Sequence, residues 1–207
     1  MNKLLIAAFL VLLSYVPLTY ANEYHNNKPL KVECSPQLQK KLDAIQKIPE
    51  ANQLISAIQK EGTIRIVAKN TGLSNQFGAF WDPDHRVICV ALSSDRTDGD
   101  IIGSMLFELH NASVNSKFNQ LDALASSGKI SKDRFVESME YLEYVNSHNA
   151  AKIAEKGVRM GVLPQDAVLQ TYPNFEKHFA VQKQYGHSAW FAKTYDMIRN
   201  DQFQSRT

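Results

Sequence analysis

Apolar and polar positions recur along this chain in short segments, most of which carry their own start and stop signals. Ser35-Pro36 supplies a cap and a first-turn proline, and Leu38, Leu42 and Ile45 follow at helical spacing. Pro49 breaks that helix, and a second, marked by Leu54, Ile55 and Ile58, ends at Gly62. Residues 63–68, TIRIVA, alternate as a half-buried strand does. Residues 70–78 are rich in Asn and Gly and read as a loop. Residues 79–81, the Asp82-Pro83-Asp84 turn and the β-branched run 86–92 then read as a hairpin.

Turn and cap residues at 95–100 lead into the segment with the clearest helical period. On a wheel of 100° per residue, Ile101, Ile102, Met105, Leu106, Leu109 and Ala112 form one broad apolar face. Ser104, Glu108, Asn111 and Asn115 run along its border as a polar stripe, which serves either as a hydrogen-bonded seam against later helices or as the lining of a cleft. Residues 119–127 continue helical up to Gly128. A long helix follows over about 133–156, with Phe135, Met139, Leu142 and Ile153 on its apolar stripe, Glu143 at one edge and Glu140 further round. Gly161 and Pro164 mark a bend before a short helix at 165–169, and residues 175–203 form a helix pair interrupted near Gly186. The pattern as a whole predicts an α+β fold, mostly helical. Its small antiparallel or mixed sheet has about three strands, near 63–69, 79–82 and 86–92.

The first 21 residues stand apart. Lys3 precedes an apolar run from residue 4 to 13, and Thr19-Tyr20-Ala21 closes with small residues at the −3 and −1 positions, which predicts a signal peptide cleaved after Ala21. The run is shorter than the roughly 20 residues of a spanning helix, so no membrane anchor is expected after cleavage. Residues 22–34 read as a flexible lead-in and 35–207 as one domain. Export, to the periplasm or the medium, makes the cysteine count informative. Cys34 and Cys89 are the only two, and an isolated pair in an oxidising compartment predicts a disulfide. A free Cys34, just before a helix start with His110 or His148 as base, is the competing arrangement of a Cys–His hydrolase. The net charge of +2 gives no electrostatic argument for nucleic acid, and no Gly-rich phosphate loop follows a strand.

The order of an aromatic residue, an Asp-Pro turn, a strand, a loop and a helix carrying a central Glu resembles the core of zincin-type metallopeptidases. In that family an edge strand borders the substrate cleft and the next helix carries HExxH, whose two His bind Zn²⁺ while the Glu acts as general base. Phe107-Glu108-Leu109-His110-Asn111 keeps only the Glu: Phe107 stands at the first ligand position and Asn111 at the second. His110 lies one residue, about 100° of helix turn, from the second position. In the gluzincin branch a later helix supplies a third ligand, which Glu140 or Glu143 would match. The resemblance implies a zincin-like core with Glu108 as the candidate catalytic residue and Trp81, Ser104, Asn111 and Asn115 as candidate binding residues. Zinc is doubtful as a cofactor; a metal, if held, would fall to His110, Asn111, Glu140 and Glu143. The expectation is an exported, zincin-like protein that no longer holds catalytic zinc and binds a protein or peptide partner through its cleft or surface. A divergent metal-dependent hydrolase and an unrelated helical interaction protein are the alternatives. His178 and His187 read as packing or surface residues, since nothing in their spacing selects them.

Overall fold

The computed structural model describes residues 32–70 and 72–204; the expected signal peptide and most of the expected lead-in lie outside them. In chain order the elements are β1 (Glu33–Cys34), α1 (Pro36–Gln46), α2 (Pro49–Gln59), β2 (Arg65–Ala68), α3 (Leu73–Phe77), β3 (Ala79–Asp82) and β4 (Val87–Val90). Then come α4 (Asp98–Ser113), α5 (Asn115–Ser126), α6 (Lys132–Arg159), a 3₁₀ turn (Gln165–Ala167), α7 (Phe175–Gln184) and α8 (His187–Gln204). The fold is mostly helical with one small mixed sheet, of order β1-β2-β4-β3, so the α+β class holds. β1–β2 and β2–β4 pair in parallel, and β3 pairs antiparallel with β4 as the outer strand of the hairpin. No described helix is long and apolar enough to cross a membrane.

The signals that start the helices are visible as caps. Thr97 and Asp100 form a reciprocal capping box at α4, Ser131 caps α6 and Asn174 caps α7. Two apolar cores result. The larger packs the sheet against α1, α2, α4 and the second half of α6, and takes in all six residues of the predicted α4 face. The smaller joins α5, the first half of α6 and α8 around Ala125, Phe135, Met139 and Phe191. α6 belongs to both, and between Met139 and Ala150 its buried positions are polar: Glu140 and Asn146.

Three expectations are corrected. The lead-in does not extend to Cys34, because Glu33 and Cys34 pair with Arg65 and Ile66 as a fourth strand. The loop at 70–78 contains α3, set between Gly72 and Gly78, both at positive φ. The Cys34–Cys89 bridge is not formed, and both thiols are free. Cys34 registers with Ile66 on one side of β2 and Cys89 with Val67 on the other. Two strand spacings of about 4.8 Å put their Cα atoms roughly 10 Å apart, beyond the ~7 Å a disulfide spans. The one-residue offset also turns the side chains to opposite faces of the sheet.

Candidate functional site

Between the two cores lies a cleft of about 550 Å³. Its near wall is β3 with the polar stripe of α4, its floor the polar middle of α6, and its far wall the loop before α7 together with α7 and α8. Ser104, Glu108, Asn111, Asn115 and Trp81 all line it, as do Phe107 and Glu143.

The stripe is bonded residue by residue. Ser104 accepts a hydrogen bond from Arg96 at 2.6 Å, and the same guanidinium reaches the carbonyls of Gly78 (2.8 Å), Ala91 (3.0 Å) and Asp100 (3.0 Å), tying α4 to the hairpin. Asn115 accepts from the Trp81 indole at 3.0 Å. Glu108, 5 % exposed, accepts from the Trp81 backbone N–H and from Asn111 Nδ2 at 3.0 Å. The register explains the first of these. Ala91 N–H bonds to Gly78 C=O, so Phe80 and Asp82 fall in bonded pairs with β4 while the N–H and C=O groups of Ala79 and Trp81 turn outward.

Asn111 sits at the centre. Its Nδ2 also donates to Glu143 at 3.2 Å, so one amide bridges two carboxylates, and its Oδ1 accepts from Asn146 Nδ2 at 2.8 Å. Two carboxylates and one amide donor fix the orientation of the Asn111 side chain, since the reverse would face oxygen with oxygen. Burial, reinforced by the neighbouring Glu143 charge, pushes the Glu108 carboxyl up to about 8 against the donors from Asn111 and Trp81. Burial likewise raises Glu143 to about 7.

Behind this pair stands a second group. Glu140 is fully buried and accepts from Ser188 Oγ at 2.7 Å; His187 Nδ1 lies 3.1 Å from the same oxygen and His178 Nε2 3.6 Å from the other. Burial opposes ionisation of Glu140, but the contacts from His178, His187 and Ser188 outweigh it and hold the carboxyl down to about 2. Burial lowers His187, yet Glu140 and the cleft carboxylates hold it above its usual value. His187 and His178 both line the cleft, with Phe77 edge-on to His187 at 5.1 Å. Both histidines are packing residues and not surface ones, set among aromatic rings as well as against Glu140. They come from α7 and α8 to a carboxylate on α6, a tertiary convergence that sequence spacing does not encode.

The possible metal-ligand set does not come together. His110 is buried but is not part of the cleft lining, and burial lowers it to about 4. Glu140 is engaged by α7 and α8, and among the described residues no group of three or more His, Cys, Asp or Glu is arranged to hold a metal ion. Zinc does not fit this donor set. The only ligating atom Asn111 offers, Oδ1, is turned to Asn146, and its NH₂ occupies the ground between the two carboxylates. The Cys–His arrangement fails as well. Burial, helped by Asp43, pushes the Cys34 thiol up to about 11, the reverse of an activated thiolate, while His148 contacts the Tyr172 carbonyl at 2.9 Å.

No family model matches the chain, and neither the curated proteins nor the solved structures contain a match.

Proposed function

We propose that this is an exported, zincin-like protein without catalytic zinc that binds an extended peptide segment of a partner along the outer edge of β3, over the Glu108–Glu143 floor. One observation carries the reading: β3 is an edge strand whose outward backbone groups, the N–H and C=O of Ala79 and the C=O of Trp81, border a cleft large enough for several side chains, while the Trp81 N–H is held by Glu108. A peptide added there would gain main-chain hydrogen bonds from the strand and side-chain contacts from the aromatic walls. Export rests on the first 21 residues and predicts a mature chain beginning at Asn22. The test is a two-dimensional NMR titration of the mature protein with a degenerate pool of unstructured decapeptides. Shifts concentrated at Ala79–Asp82 and at the indole N–H signals support it; shifts absent from that strand overturn it.

A second reading is favoured by the two carboxylates themselves. Groups raised to about 8 and about 7 in a cleft are poised for proton transfer near neutrality, as in hydrolases that split acid and base roles between carboxyls. There Glu108 would act as the general base without a metal, in its ionised form and so with a rate that rises as pH approaches about 8. Hydrolysis of the same peptide pool that survives chelation and is lost in Glu108→Gln would establish it. The absence of any cleavage leaves the binding reading.

A further inference from the structure

The cleft's lining has a charge pattern unlike that of the chain. The whole sequence carries a net charge of +2, yet Asp82, Glu108, Asp122 and Glu143 line the cleft and no lysine or arginine does. The walls between these acids are aromatic, with Trp81, Phe107, Trp190 and Phe191 among them. Acidic groups and aromatic walls together favour a cation, which draws on both Coulomb attraction and the ring quadrupoles and would take the place of the proton that Glu108 otherwise holds.

Two further features point the same way. Glu108 and Glu143 are bridged by a single neutral NH₂, so four carboxyl oxygens share that amide and the Trp81 N–H between them. In addition, Asp122, which lines the cleft, has its Oδ1 shut off from solvent without a hydrogen bond. The site thus has more buried acceptor capacity than the protein itself satisfies, and a donor-rich cationic group is what would satisfy it.

We propose that the occupant of the cleft presents a basic side chain, an arginine or lysine of the bound segment, between Glu108 and Glu143. This deepens the peptide-binding reading and rests on it. The basic group donates to the carboxylate oxygens that Asn111 leaves open while its alkyl stem lies against the aromatic walls. An acidic segment is rejected, because its carboxylate would lose its hydration beside Asp82, Asp122 and Glu143 with no lysine or arginine in the lining to meet it.

The test uses a built-in reporter, since both tryptophans of the chain, Trp81 and Trp190, line the cleft. Tryptophan emission of the mature protein is titrated with benzamidine and with its neutral analogue benzamide. In parallel, peptides differing only by arginine or citrulline at one position are compared by the same signal. Benzamidine is expected to change the emission saturably and benzamide not, with Glu143→Gln, which keeps the side-chain shape, weakening benzamidine by about tenfold or more. The arginine peptide is expected to bind at least about tenfold more tightly than the citrulline peptide. If benzamidine binds but neither peptide does, the cation site stands and the peptide reading falls. If arginine and citrulline peptides bind equally, the peptide reading stands and the cation site falls. If benzamide matches benzamidine, or if neither changes the emission, the cation site is overturned.

Discussion

Glu108 and Glu140 carry opposite consequences for stability. Glu108 keeps a proton in the folded protein that the unfolded chain loses above its ordinary 4.5. The folded state therefore binds more protons between pH 4.5 and about 8, and the Glu108 contribution makes stability fall as pH rises through that window. Glu140, held down to about 2, contributes stability that is present above 4.5 and is lost as pH falls toward 2. Glu108→Gln is expected to flatten the loss above pH 4.5 and to stabilise most near and above pH 8, as measured by urea unfolding across a pH series. Glu108→Ala leaves one of the two Asn111 Nδ2 hydrogens and the Trp81 N–H without an acceptor and is expected to cost about 1–3 kcal/mol at pH 6. Asn111→Asp is the harsher change. It replaces the donor shared by two carboxylates with a third carboxylate, and a loss of about 3 kcal/mol or more is expected in the same assay. A wild-type melting temperature for Asn111→Asp would remove the amide bridge from the account.

At the level of elements, α4 packs against the 3₁₀ turn through glycines. Its Gly99 and Gly103 face the 3₁₀ turn so closely that a methyl group at either would collide with Asp166 or with the Ala167 carbonyl. Gly103→Ala is therefore expected to cost about 1–3 kcal/mol in a thermal or urea melt, and an unchanged stability would mean that the turn sits further away. The sheet makes its own prediction: protein unfolded without reductant should label at both cysteines, whereas a disulfide would leave none. Elements with several turns of their own were legible in the sequence. The apolar face of α4, the start of α6 at Ser131 and the break near Gly186 all follow from local periodicity and capping. β1 was not, since two residues have no period and its partner β2 lies some thirty positions on, after two helices. α3 was hidden for a similar reason, being a five-residue helix between glycines. The polar stripe of α4 could be read off a helical wheel. The Glu140–His187–His178 group could not, because three helices bring it together.

For the molecule as a whole, the cleft lies where the two cores meet and α6 changes from one to the other, so its polar residues are placed by packing on both sides. In the proposed reading it is Asn111, and not a metal, that holds Glu108 and Glu143 together there. This is the central claim, and zinc content tests it most directly. Purified protein is equilibrated with excess zinc, dialysed against metal-free buffer and analysed for zinc by mass spectrometry. The account predicts far less than one equivalent per chain, because Phe107 offers no ligand and Asn111 turns its oxygen away. Zinc retained at one equivalent, and lost in Glu143→Ala, would contradict it.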